Sequence, residues 1–334
     1  MMLHFIQDER CDRAARADAF VRKLKSRLSS GSSLRQDEPL GRRTTLRVGG
    51  RADVFVQPCC IEDLACVLRA CREDRMPLFT IGRGSNLLVR DGGFRGVIIS
   101  LDHVAFSVVE TIAGGLRAGA GAKLKQVAID ARNANLGGFE FLEGIPGTIG
   151  GALRMNAGAM GCCIFDLVTS VQFMDTGGEV ITRRGRDMDA KYRSCEFFER
   201  HVALQAELKG CGGSRAEIEQ RMAEFSRKRW SSQPAAPSAG CMFKNPEQAP
   251  AGKIIDKLGL KGARLGGAMI SREHGNFLVT EGLATARDVI GLMCLVRQKV
   301  REATGIELES EVQVIGEDLE EPSVIQAGDE VRSA

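Results

Sequence analysis

The sequence predicts a mixed α+β fold, and three observations predict it. Residues Ile61, Leu64, Ala65, Leu68 and Cys71 recur at the three-and-four spacing of a helix face, and the apolar run Pro77-Leu78-Phe79-Thr80-Ile81 follows at once as a short buried strand. Further on, strand-like runs at 94–101, 108–118 and 171–174 are interleaved with a helix over 123–135, whose Leu124, Val127, Ala128 and Ala131 share one side. Beyond the small, turn-forming Gly210-Cys211-Gly212-Gly213, the residues Ser214-Arg215-Ala216-Glu217 form a capping box that opens a further helical segment.

In chain order, residues 1–33 read as an N-terminal extension. Phe20, Leu24 and Leu28 stand four apart, which predicts a short helix over 14–28 before Ser29-Ser30-Gly31-Ser32-Ser33 ends it; the expectation is a surface helix or a mobile leader. Charge at Asp8, Glu9 and Arg10 interrupts the start too early for a secretory signal, and no later run is long and apolar enough for a membrane span, so a cytoplasmic protein is expected. Residues 34–213 form the main region, dividing at about residue 100 into 34–100 and 101–213, and residues 214–316 form a C-terminal unit. In that unit Ile218, Met222 and Phe225 line the first helix. Val289, Leu292, Met293, Val296 and Val300 line a second over 286–301, which Gly305 stops. Residues 306–314 alternate Ile306, Leu308, Val312 and Val314 with Glu307, Glu309, Glu311 and Gln313, a strand whose polar side, by periodicity alone, faces solvent. An acidic and polar tail over 317–334 reads as disordered.

Composition excludes several classes. With 46 Lys+Arg against 43 Asp+Glu, a net charge of +3, one Trp and one Tyr, the chain offers no basic face interleaved with aromatics, and no nucleic-acid partner is expected. The 11 cysteines are odd in number and lack metal-ligand spacing. The adjacent pairs Cys59-Cys60 and Cys162-Cys163 are awkward as bridges, so the thiols are read as reduced. The 4 histidines do not cluster, and no metal site is expected. Oligomeric state is not written in the sequence.

The chemistry centres on two glycine-rich stretches. Glu140-Phe141-Leu142-Glu143-Gly144-Ile145-Pro146-Gly147-Thr148-Ile149-Gly150-Gly151 concentrates backbone amides that carry almost no side chain, and glycines free to reach positive φ can aim such amides into one anion-binding concavity. Upstream, the strand ending at Ile81 runs into Gly82-Arg83-Gly84-Ser85-Asn86, where Arg83 adds a charge and Ser85 and Asn86 add hydrogen-bonding groups suited to a diphosphate. This is neither the dinucleotide Gly-x-Gly-x-x-Gly nor a Walker loop with its lysine.

Taken with Pro39-Leu40-Gly41-Arg42-Arg43-Thr44-Thr45-Leu46-Arg47-Val48-Gly49-Gly50, Lys191-Tyr192-Arg193-Ser194, Gly240-Cys241-Met242-Phe243-Lys244-Asn245-Pro246 and Glu309-Ser310-Glu311-Val312, the two loops resemble the UDP-N-acetylenolpyruvoylglucosamine reductase (UDP-N-acetylmuramate dehydrogenase) family. The resemblance covers roughly residues 35 to 316 and is carried by the order and spacing of these motifs. It implies a flavin-binding domain of the vanillyl-alcohol-oxidase-like (PCMH) type with a smaller C-terminal α+β substrate domain. It implies FAD as cofactor and NADPH as co-substrate; the absence of His and Cys from both loops suits non-covalent binding. The activity implied is reduction of the enolpyruvyl group of a UDP-sugar in peptidoglycan precursor synthesis: a hydride passes from flavin N5 to the methylene carbon, and the resulting dianionic enolate is protonated on its other carbon.

Carried over residue by residue, the resemblance assigns cofactor contacts to Gly82, Arg83, Gly84, Ser85, Asn86, Gly144, Ile145, Pro146, Gly147, Thr148, Gly150, Asn156 and Ala157, and substrate contacts to Tyr192, Arg229, Asn245 and Lys253. Arg193 would clamp the substrate carboxylate, and Glu311, with Glu309 as its confusable neighbour, would help hold the enolate. Cys241 stands where the family carries a serine proton donor. A thiol has the same shape and an ordinary pKa of about 8.5, which Arg193 and Lys244 are expected to lower. Ser232 replaces a common lysine before Gln233-Pro234, leaving Arg229 to supply the charge for a diphosphate, and Arg154 and Arg51 stand where the family more often has uncharged residues. No long insertion follows the Arg193 motif, which resembles the shorter subtype without a tyrosine lid loop. A flavin-dependent oxidase and a catalytically inactive nucleotide-sugar binder, the latter suggested by Cys241 and Ser232, are the other two readings at this level.

Overall fold

A computed structural model describes residues 2–319 of the chain, with side chains from residue 14 onward. The expected tail therefore lies outside the described residues from position 320 on. Helix α1 (Met2–Lys25) ends three residues earlier than expected and is not a surface element: Ala17, Phe20, Val21 and Leu24 are buried in the main core. Lys23 Nζ reaches Asp74 at 2.8 Å and Glu73 at 2.9 Å, and Asp63 accepts from the amide and hydroxyl of Ser29 and, at 2.6 Å, from the hydroxyl of Ser32. The apolar stripe at i, i+3/i+4 is why the extension docks rather than dangles. Next come β1 (Ser33–Pro39), β2 (Arg51–Gln57), α2 (Ile61–Glu73), β3 (Leu78–Ile81), β4 (Leu87–Val89) and β5 (Phe94–Ser100). They form a sheet of order β1-β2-β5-β3, in which β5 pairs parallel with β2 and β3, while β4 stays out of it. Val54, Phe55 and Val56, with Val97, Ile98 and Ile99, are fully buried, the continuous apolar runs of parallel strands covered on both faces.

The second unit comprises β6 (Val109–Ile112), β7 (Gly115–Gly119), α3 (Leu124–Asn133), β8 (Leu136–Gly137), α4 (Ile149–Met155), the hairpin β9 (Gly158–Ala159) and β10 (Cys162–Cys163), β11 (Val168–Met174), β12 (Val180–Arg184), β13 (Val202–Lys209), β14 (Cys211–Gly212) and α5 (Arg215–Trp230). The run 108–118, expected as one strand, is two, because Gly114 turns the chain at φ 72°. The sheet is antiparallel, of order β12-β11-β13-β7-β6. The capping box of Ser214 and Glu217 forms as expected. Ile218 and Met222 of α5, however, bury into the same core as this sheet, so the helix that the boundary at residue 214 would assign to the C-terminal unit packs with the second unit.

After α5 the chain builds a second core from β15 (Ser238–Cys241), α6 (Ala251–Lys257), β16 (Arg264–Leu265), β17 (Ala268–Ile270), β18 (Phe277–Thr280), α7 (Ala286–Thr304) and the final β19 (Gln313–Ile315). Its antiparallel sheet has order β15-β18-β17-β16, packed by Val289, Leu292, Val296 and Val300 of α7, which Gly305 ends at φ 72°. The strand expected over 306–314 is shorter and elsewhere. Residues 309–311 run beside 242–244, through Lys244 N to Glu309 O at 2.9 Å and Glu311 N to Met242 O at 2.8 Å, and only then does β19 cross to pair parallel with β4. Leu46, Val48 and Leu88 from the first unit complete the second core. Among the described residues, no helix is long and apolar enough to cross a membrane.

Because Leu24 is fully buried, Leu24→Ala is expected to lower unfolding stability by about 2–5 kcal/mol in urea titration. A loss below about 0.5 kcal/mol, the range of surface substitutions, would mean that α1 does not belong to the core.

Candidate active site

Between the three units lies a cleft of about 1730 Å³, joined along Gly82, Arg83, Pro146, Thr148 and Arg154 to a smaller chamber of about 330 Å³. The two glycine-rich stretches face each other across it. Gly84 has φ 61°, and a Cβ there would lie 2.2 Å from the Arg43 carbonyl; a Cβ on Gly82 would lie 2.8 Å from Thr148 Oγ1. Glycine at these places is therefore a requirement of close approach and, at Gly84, of backbone angle. The second stretch departs from expectation: none of Gly144, Gly147, Gly150 or Gly151 has positive φ. There the lack of a side chain serves proximity, with a Cβ on Gly144 meeting Arg229 Cδ at 3.2 Å and one on Gly150 meeting Ala120 O at 3.2 Å. The amides of Arg83, Gly84, Ser85, Gly147 and Thr148 have no protein acceptor among the described residues, and the buried Thr44 hydroxyl on the cleft wall has no partner either. Unpartnered donors beside Arg83, lining the chamber and the cleft joined to it, fit the diphosphate of FAD. Ile145, Pro146 and Ala157 line the chamber beyond.

Two expected cofactor contacts are occupied by the protein itself. Asn86 Nδ2 donates to Glu311 O at 3.0 Å. Asn156, left-handed at φ 40° where it caps α4, donates from Nδ2 to Lys191 O at 3.0 Å and so holds the turn that carries Arg193.

Arg193 is itself left-handed, at φ 56°, an uncommon conformation for a non-glycine residue and one that clusters at functional sites. Its Nη1 donates to Gly158 O at 2.8 Å, and its Nε lies 3.1 Å from Glu311 Oε1. That contact is an ion pair without hydrogen-bond alignment, so the buried Nε–H retains capacity for a further acceptor. Glu311, placed by periodicity on a solvated face, has a side chain only 15% exposed, because the chain wraps residues 242–244 before it reaches β4. Burial pushes its carboxyl above the ordinary range, opposed by Arg193 and Lys244.

Cys241, at the end of β15, lines the same chamber with Arg193, Arg229 and Glu311. The expectation of a lowered thiol pKa is overturned: burial first, then the negative charge of Glu311, push it up to about 12 against the opposing pull of Arg193 and Arg229. Lys244 is committed elsewhere, 2.6 Å from Glu309 Oε1. The thiol therefore stays protonated at neutral pH. Sequence reasoning missed Asn276, buried at 1% exposure, whose Nδ2 donates to Phe243 O at 2.8 Å and whose Oδ1 accepts from Phe243 N at 3.0 Å, fixing the chain just past Cys241. Its one signal was an amide beside the apolar strand Phe277–Thr280.

Arg229 reaches the chamber beside Gly144, and burial lowers its pKa. Ser232 donates to Lys228 O at 2.9 Å, which leaves Arg229 as the cation at this end. Tyr192 is 55% exposed, with the Arg193 guanidinium 5.5 Å from its ring centroid. Asn245 and Lys253 are not brought to the cleft: Asn245 Oδ1 accepts from Ala251 N at 3.0 Å at the start of α6, and Lys253 is exposed on that helix. Arg154, half-buried with its guanidinium 5.6 Å from the Phe79 ring centroid, donates to Gln313 Oε1 at 3.0 Å and Phe198 O at 2.7 Å. Arg51 pairs with Asp37 at 2.9 Å, outside the cleft. Among the described residues one cluster has ligand atoms close enough for a metal, Cys59, Cys60 and Asp63, but both Asp63 oxygens are already held by Ser29 and Ser32.

Fold and site together define a flavoprotein oxidoreductase that uses FAD, and residues 52–183 match the FAD binding domain family. Residues 233–315 match the C-terminal domain of UDP-N-acetylenolpyruvoylglucosamine reductase. A protein of that name from Syntrophus aciditrophicus is 40% identical over 305 residues, covering 90% of this chain and 97% of the relative. Another from Geotalea uraniireducens is 43% identical, covering 85% and 95%. The crystal structure of UDP-N-acetylenolpyruvylglucosamine reductase from Thermus caldophilus superposes with a TM-score of 0.72 at 36% identity, covering 85% of this chain and 98% of that one. The chain belongs to the UDP-N-acetylenolpyruvoylglucosamine reductase family.

The raised thiol pKa has a direct consequence for reactivity and stability. Iodoacetamide, which needs the thiolate, is expected to leave Cys241 unmodified between pH 7 and 9 in peptide mass mapping of the folded protein, while exposed Cys162, Cys211 and Cys294 react. The protonated thiol favours the folded state below its ordinary pKa of about 8.5, and this contribution is lost as pH rises toward 12. Labelling of Cys241 at neutral pH as fast as that of the exposed cysteines would contradict the burial.

Proposed function

We propose that this chain catalyses the NADPH-dependent reduction of UDP-N-acetylglucosamine enolpyruvate to UDP-N-acetylmuramate, in peptidoglycan precursor synthesis in the cytoplasm, with FAD held non-covalently in the cleft. The observation that carries the reading is the meeting, at one end of a flavin-sized cleft, of an Arg193–Glu311 ion pair at 3.1 Å with a protonated thiol at Cys241. When bound, FAD supplies the hydride carrier between NADPH and the enolpyruvyl group.

The protein's own groups then meet the charge of the reaction. Arg193, fixed by Gly158 and the turn 191–194, presents a guanidinium that stabilises the carboxylate and the oxyanion developing beside it; because the donor is prepositioned, little reorganisation is needed as charge appears. Glu311 holds that guanidinium through its Nε edge. Cys241 delivers its proton to the substrate carbon, and a thiol with pKa near 12 is fully protonated at working pH. Arg229 neutralises the nucleotide diphosphate, and Tyr192 flanks the sugar. Asn245 supports the start of α6, and Lys253 lies exposed on that helix, outside the cleft.

The purified protein is expected to be yellow and to consume NADPH only when the enolpyruvyl nucleotide is added. Peroxide formation instead would mark an oxidase, and a colourless protein a binder without redox chemistry. Because the anionic charge arises only when the nucleotide is reduced, Arg193→Lys should slow that half-reaction by about 10²-fold or more while leaving NADPH-dependent bleaching of the flavin within about threefold, as read by stopped-flow absorbance. Equal losses in both halves would remove Arg193 from the reaction. Cys241→Ser should remain active, and Cys241→Ala should bleach normally yet turn over slowly; parental turnover by Cys241→Ala would assign the proton to another source.

A further inference from the structure

The phosphate-binding stretch ends at Asn86, and the residue does something that an anion ligand need not do. Its side-chain Nδ2 donates to Glu311 O at 3.0 Å, and its own carbonyl accepts from Gln313 N at 3.1 Å, so Asn86 grips the return strand at two points flanking the buried Val312. From the other side, Glu311 N donates to Met242 O at 2.8 Å, the residue next to Cys241. The backbone of Glu311 is thus pinned between the phosphate loop and the strand end that bears the thiol. Immediately beyond Asn86, β4 has β19 as its only ladder partner among the described strands, with Leu87 opposite Gln313 and Val89 opposite Ile315.

We propose that Asn86 is a positioning residue that couples occupancy of the phosphate loop to the placement of Glu311. The inference rests on the reading that Arg193 and Glu311 form the reaction site. Anion binding at the Arg83, Gly84 and Ser85 amides immobilises the loop up to Asn86, and Asn86 transmits that order to Glu311 through one side-chain and one main-chain hydrogen bond. The fold gives the coupling a short path: a single residue separates Ser85 from β4, and a single residue separates Glu311 from β19. Among the described residues Asn86 makes no hydrogen bond to Arg193 or Cys241, so its effect on the reaction would pass through the placement of Glu311.

Hydrogen–deuterium exchange on the apo and FAD-loaded full-length protein tests this without any turnover. In the parent, FAD is expected to slow exchange both in 144–152 and in 308–316. In Asn86→Ala, saturated with FAD, protection of 144–152 should persist while the FAD-dependent slowing in 308–316 falls by about fivefold, the scale of one net hydrogen bond. Asn86→Ser, whose shorter hydroxyl does not span the distance to Glu311 O, should behave the same and serves if the alanine variant does not fold. FAD-dependent protection of 308–316 that is equal in parent and variants, or absent in the parent, would overturn the proposal. The flavin-loaded variants should also bleach with NADPH at the parental rate and be reoxidised by the enolpyruvyl nucleotide more slowly; equal slowing of both would assign Asn86 to flavin binding alone. A parent that fails to use the nucleotide while its exchange pattern holds would instead sink the functional reading and leave the coupling intact.

Discussion

The parallel pairing of β19 with β4 is the contact on which the site depends. It joins segments 225 residues apart at Asn86 and Glu311 and, with the pairing of 309–311 beside 242–244, brings the Glu311 carboxylate to an arginine anchored in the second unit. A three-residue ladder is weak in isolation, and the fold reinforces it on all sides. Asp91 accepts from the amides of Ala286 and Arg287 at the start of α7, Thr280 Oγ1 donates to Leu46 O at 2.7 Å, and Glu317 bridges to Gly93. Leu88 sits in the second core while Leu87 and Val89 sit in a third, so β4 is a shared wall between units. Closing so long a loop is affordable because the entropy grows only slowly with length, by about 0.6 kcal/mol per doubling.

Electrostatics at the junction follow from burial. Glu311 and Cys241 are both driven toward their neutral forms by desolvation, and each carries a partner that resists or reinforces the shift: Arg193 pulls Glu311 toward the carboxylate, and the carboxylate in turn keeps the thiol protonated. The three groups form one coupled arrangement in which the cation is paired and the acid is loaded. Removing either charge would leave the other buried without its partner, which is the costly case for such pairs. The strained φ of Arg193 is held by the hydrogen bonds between Lys191 and Ser194 within its own turn and by Asn156, which donates to Lys191 O.

Much of this was legible in the sequence where a local rule operates. The face of α2, the capping box at Ser214 and the C-terminal Gly305 were readable because helical periodicity and caps act over a few residues; the apolar run ending at Ile81 was readable as a strand, but only Ile81 of β3 is buried, the other three residues being half-buried where they line the cleft. The motifs around Arg193, Cys241 and Glu311 were legible as a resemblance, and the structure brings these three residues to one chamber. What was not legible arises from contacts distant in sequence. Alternation over 306–314 put Glu311 toward solvent, since periodicity knows nothing of a strand that wraps 242–244 and then changes partner. The thiol shift was misjudged because nearby cations can be counted from a motif but burial cannot, and burial dominates. Helix α1 was read as peripheral although its Phe20 and Leu24 stripe was visible, because nothing local says what that stripe packs against. Asn245 and Lys253 stand near the right motif in sequence, but Asn245 is bound to the first amide of α6 and Lys253 is exposed on that helix.

The central claim is that Arg193 and Glu311 work as one unit assembled by the return strand. A double-mutant cycle with Arg193→Ala and Glu311→Ala, read on the rate at which the enolpyruvyl nucleotide reoxidises reduced, FAD-loaded protein, addresses it most directly. The account predicts strong non-additivity, with a coupling of about 1 kcal/mol or more and a double variant little slower than the worse single one. Losses that simply multiply, with coupling below about 0.3 kcal/mol, would show that the two residues act independently and would contradict it.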